Sequence, residues 1–114
     1  MATEVQSQAL DRDPKLRDIV GRIAEAYHPL RIYLFGSKAR RDDDFASDYD
    51  LLVVVPDNAP PEHRNSRLAH QKLWGVGAPA DVVVCTDEWF KSRATVITSL
   101  PATVIREGHL LYAA

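Results

Sequence analysis

A single cysteine, Cys85, in a chain of 114 residues excludes an internal disulfide and any site built from several thiolates. Such cysteine usage fits a reducing compartment, and the cytoplasm is the expected location. Long hydrophobic runs are also missing. The longest purely aliphatic stretch, Leu51 to Val55, falls far short of the roughly 20 residues that span a bilayer. The opening residues, Met1 to Val5, lack the basic segment and apolar stretch of a signal peptide. No charge of one sign dominates: 14 Lys and Arg stand against 16 Asp and Glu, giving a net charge of −2 and a pI near 6.0. That balance argues against bulk nucleic-acid binding, which usually accompanies a pI above about 9, and leaves room only for a local basic site. Repeats and low-complexity stretches are absent. What remains is 46% apolar and 26% charged, the mix of an ordinary folded domain with one core.

The polar residues 1–12 show no periodicity and read as a loose N-terminal arm, leaving residues 13–114 as a single domain. Asp13-Pro14 opens a helix as N-cap and first helical residue. Leu16, Ile19, Val20, Ile23, Ala24 and Tyr27 then form an unbroken apolar stripe, which His28-Pro29 ends. Arg31 to Phe35 reads as a strand running into a Gly36-Ser37 turn. A second strand spans Asp48 to Val55. A helix is expected from near Pro61 to just before Gly75, burying Leu68, Leu73 and Trp74. A third strand covers Asp81 to Cys85, with Thr86 as the next N-cap. Two short helices follow around Leu100-Pro101. Gly108 closes the second, and His109 to Tyr112 forms a last strand. The pattern predicts an α/β (α+β) domain with a small mixed sheet of about four strands flanked by helices.

Residues two apart on a strand share a face, so Asp48 and Asp50 point the same way and Tyr49 points the other. Asp81 leads the next apolar run in the equivalent place. Two carboxylates held together repel unless a cation lies between them, and their hard oxygens suit Mg²⁺. Asp-x-Asp spacing alone more often marks a solvated strand start. What changes the reading is the order: a strand, Gly36-Ser37, a basic stretch with Lys38, Arg40 and Arg41, then Ser47-Asp48-Tyr49-Asp50-Leu51 opening another strand. A strand-to-helix turn offers backbone N–H groups to a phosphate, and serine adds a hydroxyl.

That order, Gly36-Ser37-Lys38-Ala39-Arg40 … Ser47-Asp48-Tyr49-Asp50-Leu51-Leu52-Val53, resembles the signature of the minimal nucleotidyltransferases of the DNA polymerase β-like superfamily. Asp81-Val82-Val83-Val84 fits the family's third carboxylate, and Arg106 to Tyr112 is similar to the usual end of such domains. The resemblance covers Asp13 to Tyr112. It implies the polymerase β-like fold and Mg²⁺-dependent nucleotidyl transfer from ATP or another nucleoside triphosphate, with two ions when nucleotide is bound. Asp48, Asp50 and Asp81 would be the catalytic, metal-holding carboxylates. Gly36, Ser37, Lys38, Arg40 and Ser47 would bind the nucleotide, with Arg40 or Lys38 balancing charge on departing pyrophosphate. Arg41 departs from the pattern, since related sequences often carry glycine there.

The family also suggests a partner. The chain leaves little room for a specificity domain of its own, so the acceptor would be recognised by, or be, a separate protein. An antitoxin that transfers AMP onto a HEPN-family toxin is the leading expectation. A catalytically silent antitoxin acting by contact is the alternative, and an antibiotic-modifying enzyme with a homodimer pocket is the third. Other motifs carry less. A calcium loop begun at Asp42 fails at Ser47 and Val53, where glycine and glutamate are needed. His63 and His70, seven apart on a presumed helix, cannot share a metal. Gly75-Val76-Gly77 precedes its strand and lacks a third glycine, which excludes a dinucleotide fingerprint.

Overall fold

Helix α2 (Pro14–Tyr27) follows from its stripe and its cap. The Leu16 amide donates to Asp13 Oδ1 at 3.1 Å, and Pro14 sits in the first turn, where a missing N–H costs nothing. Leu16, Ile19, Val20, Ile23 and Tyr27 are buried, and His28 ends the helix in a left-handed conformation at φ 48°. The computed structural model describes residues 4–40 and 48–114 of the chain.

Four strands form one mixed sheet: β1 (Arg31–Phe35), β2 (Tyr49–Val55), β3 (Ala80–Thr86) and β4 (His109–Ala113), in the order β3-β2-β1-β4. β1 runs antiparallel to β2 and β4, while β2 and β3 are parallel. A parallel pair needs a crossover, here a 3₁₀ turn at Pro61–His63 and helix α4 (Arg67–Lys72). The Tyr27 hydroxyl fixes that crossover to α2. It donates to the Asn65 carbonyl at 2.7 Å and accepts from the Ala69 amide at 2.8 Å.

β2 is the central strand, and Leu51 to Val55 are each fully buried. Its continuous apolar run exists because both sheet faces are covered. Leu51, Val53 and Val55 pack with the α2 stripe. Leu52 and Val54 face the other way, against Phe90 of α5 (Asp87–Arg93) and Val104 of α6 (Leu100–Glu107). Thr86 and Ser99 cap these two helices by accepting from the Trp89 and Ala102 amides. A short helix α3 (Gly36–Arg40) links β1 toward β2.

Three local expectations change. The arm expected to be loose holds helix α1 (Ser7–Arg12), and Val5 bridges Leu110 of β4 with the Gln6 amide donating to the Leu110 carbonyl. Backbone pairing with the edge strand orders a segment whose own side chains gave no periodic signal. The single helix expected from Pro61 to Gly75 is split, because Asn65 and Ser66 turn the chain before α4 begins. Trp74 consequently falls beyond the C-terminus of α4, in a turn where Gly75 and Gly77 have positive φ, and is 77% exposed rather than buried. Leu68 and Leu73 are half-buried. No helix among the described residues is long and apolar enough to cross a membrane.

Candidate active site

The parallel register of β2 and β3 sets Asp50 directly opposite Asp81, and the antiparallel register with β1 sets it opposite Phe35. Asp48 lies two residues upstream, just outside the strand and exposed. Alternation along β2 gives Asp50 the same side of the sheet as Leu52 and Val54, and along β3 gives Asp81 the side of Val83 and Cys85. The three carboxylates therefore gather beyond the part of this face that α5 and α6 cover.

Gly36, at φ 75°, turns the chain from β1 into α3 immediately against this group. A Cβ placed on Gly36 would overlap the Asp50 carboxylate at Oδ2. Glycine is thus required twice, for the left-handed backbone and for the approach to the acid. Ser37 and Lys38 occupy the first turn of α3, and Arg40 its exposed end. The His109 imidazole donates from Nε2 to the Ala39 carbonyl at 2.9 Å, which ties the end of α3 to β4. Ser47 and Arg41 lie outside the described residues, as do Asp42 to Asp44.

The electrostatics agree with a cation-seeking group. Burial pushes the Asp50 carboxyl above its ordinary value, the charges of Asp81 and then Asp48 push it further, and the Arg40 guanidinium draws it part of the way back. Among the described residues, no three His, Cys, Asp or Glu side chains converge tightly enough to hold a metal ion alone. The donors nonetheless fit Mg²⁺ in type. Mg²⁺ commonly takes one or two carboxylates and completes its shell with phosphate oxygens and water. Asp48, Asp50 and Asp81 suit an ion shared with a bound triphosphate, not a closed protein cage.

Two residues that sequence reasoning did not assign to the site support it from behind. The Tyr49 side chain, between the two aspartates, is buried, and its hydroxyl donates to Asp13 Oδ2 at 2.6 Å. The Lys38 ammonium lies 4.6 Å from the centre of the Tyr49 ring. Alternation predicts that Tyr49 points away from the acids, but nothing local names Asp13 as its partner. The remaining candidates lie elsewhere. His63 tilts against Tyr27 with ring centres 5.8 Å apart, and His70 is exposed on α4. Cys85 packs partly buried under α5 and is pushed up to about 12, chiefly by burial, so it is an inert thiol.

Known structures share this fold. One similar structure is a toxin-antitoxin complex with AMP-PNP, at a TM-score of 0.60 and 23% identity over 86% of this chain and 73% of that one. A Sulfolobus solfataricus protein provisionally named a nucleotidyltransferase matches at a TM-score of 0.58 and 23% identity, over 97% of this chain and 91% of that one. At such identities the likeness speaks to the fold. No curated protein matches the sequence. Residues 14–103, however, match the family model of the nucleotidyltransferase domain, a span from the first turn of α2 into α6 that takes in Gly36, Asp48, Asp50 and Asp81. By that match the chain belongs to the nucleotidyltransferase domain family.

Proposed function

We propose that this protein is a Mg²⁺-dependent enzyme that moves a nucleoside monophosphate, with ATP as the first candidate donor, onto a hydroxyl of a partner protein. The observation that carries this reading is the pairing of Asp50 with Asp81 across β2 and β3, with Gly36 packed on Asp50. Mg²⁺, when bound, would neutralise the triphosphate and polarise its α-phosphoryl group. Asp48 and Asp50 would hold the ions, and Asp81 would complete the acceptor side. The backbone at Gly36 and the Ser37 hydroxyl would hold the triphosphate. As the acceptor oxygen attacks the α-phosphorus, its proton passes toward the Asp81 carboxylate and the α–β bridging bond breaks. Arg40, whose charge already reaches Asp50, would balance the charge of the departing pyrophosphate, while the Lys38 ammonium rests over the Tyr49 ring.

A protein acceptor is favoured by the exposure of the acids, since Asp48 and Asp81 both stand open to solvent. The similar toxin-antitoxin structure supports an antitoxin as the biological form of this reading; that its acceptor is a HEPN-type toxin is the expectation the sequence resemblance carries. The test is incubation with α-³²P-labelled ATP, Mg²⁺ and an extract of the source cells, beside an Asp50→Asn control. The expected outcome is a labelled polypeptide with the wild type only, transfer falling more than about a hundredfold in the variant. A labelled RNA instead would replace the protein acceptor by a nucleic acid. No transfer with any of the four nucleotides would leave neutralisation by contact as the function.

A further inference from the structure

We infer that Tyr49, through its hydrogen bond to Asp13, is a positioning residue that holds the carboxylates of Asp48, Asp50 and Asp81 in register for their cation, an inference that rests on the function proposed above. The residue stands where three site-bearing elements meet. It lies in β2 between the two aspartates, so any rotation of its backbone swings both carboxylates at once. Its amide donates to the Pro79 carbonyl at 3.0 Å, and it pairs with Ala80, the residue before Asp81. Lys38 of α3 rests over its ring.

An anchor is needed at this point in the sheet. The ladder between β1 and β2 ends at Phe35 and Asp50, so Tyr49 has β3 but not β1 as a ladder partner. Like charges at Asp48, Asp50 and Asp81 work to spread this strand end. The Tyr49 hydroxyl ties it to the N-terminus of α2 against that spreading. Its acceptor does not give way readily, because Asp13 uses its other oxygen to cap α2, the most extensively buried helix in the fold. A charge-assisted bond of 2.6 Å between two such fixed elements belongs to the stronger class of hydrogen bonds. The link runs from the N-terminus of α2, through the ring of Tyr49, to the backbone that carries the acids.

The test compares Tyr49→Phe with Tyr27→Phe. Each removes one hydroxyl from a buried tyrosine that bonds α2 or its cap to another element, but Tyr27 is the last residue of α2 and bonds to Asn65 and Ala69 of the crossover, away from the acids. Free Mn²⁺ is titrated by paramagnetic resonance against each protein with a non-hydrolysable ATP analogue. Tyr49→Phe is expected to weaken Mn²⁺ binding about tenfold, whereas Tyr27→Phe lowers the melting temperature and leaves Mn²⁺ binding at the wild-type value. Asp13→Asn, which keeps an oxygen to cap α2, adds nothing to Tyr49→Phe in the double variant. Wild-type Mn²⁺ affinity in Tyr49→Phe, or equal losses in the two tyrosine variants, would overturn the inference. If the wild type itself binds no Mn²⁺, the proposed transfer reaction fails. Amide exchange in the metal-free protein then decides the positioning role. Faster exchange at residue 49 and along the adjoining β2–β3 ladder in Tyr49→Phe alone sustains it, and unchanged exchange ends it.

Discussion

At Gly36 two demands fall on one residue, a left-handed backbone and the absence of a side chain where the Asp50 carboxylate lies. Gly36→Ala is expected to cost about 1–2 kcal/mol from the backbone alone. Transfer should fall by at least about tenfold as Asp50 is displaced. Urea unfolding and turnover measured on the same preparation check this pair, and full activity would mean that Gly36 serves only the turn. The sequence shows half of this directly. A glycine-serine pair after a strand reads as a phosphate-binding turn, but the contact with Asp50 depends on β1 pairing with β2 so that Phe35 meets Asp50. The Tyr49–Asp13 bond was less accessible still, since its partners are 36 residues apart and each has a sufficient local explanation without the other.

At the scale of the element, legibility tracks how much of an element's stability is local. Helix α2 has its cap, its proline and its whole stripe inside its own segment, and the strands have their own apolar runs. Helix α1 has none of these and depends on pairing with β4. The break before α4 comes from Asn65, whose carbonyl is taken by Tyr27 from a distant helix. The junction between α6 and β4 shows a further case. Gly108 reads as a simple helix stop, yet its φ of −84° is open to any residue. What demands glycine is space, because a Cβ there would stand 2.6 Å from the Val104 carbonyl oxygen and 2.8 Å from that of Leu34. Both obstacles are backbone, so α6 must move away from β1 to admit a methyl group. Gly108→Ala should lose about 1–3 kcal/mol. It should also disturb the resonance of His109, whose imidazole bonds to Ala39 at the end of α3. Denaturant unfolding and a histidine-resolved spectrum test the two parts together.

For the whole molecule, the two ends of one sheet face respond to acid in opposite ways. At the end under α5, the Arg31 guanidinium bonds to Asp87 at 2.7 Å while resting 5.2 Å over the Phe90 ring, and Lys91 adds a second contact at 2.9 Å. The hydrogen bond from Arg31 is the main cause that holds Asp87 below its ordinary 3.8, so its ionised form stabilises the fold. That contribution is complete above the ordinary value and is lost as pH falls through the lowered one. Asp50 is the reverse. Its value is raised, so its ionised form destabilises the metal-free fold, fully above the raised value and not at all below 3.8. In metal-free protein at pH 7, Asp87→Ala should therefore be less stable than wild type by about 1–3 kcal/mol, and Asp50→Asn more stable. As pH falls, the Asp50→Asn curve should meet wild type first, while the Asp87→Ala difference should persist to about pH 4 and close only below it. Mg²⁺ with nucleotide should reverse the neutral-pH order for Asp50→Asn, because only the wild type then gains a ligand for its unfavourable charge. Thermal unfolding of the three proteins from pH 3 to 8, with and without Mg²⁺ and nucleotide, tests the scheme. An Asp50→Asn advantage that ignores both pH and Mg²⁺ would mean that the carboxylates do not repel across β2 and β3, and that no cation is needed between them.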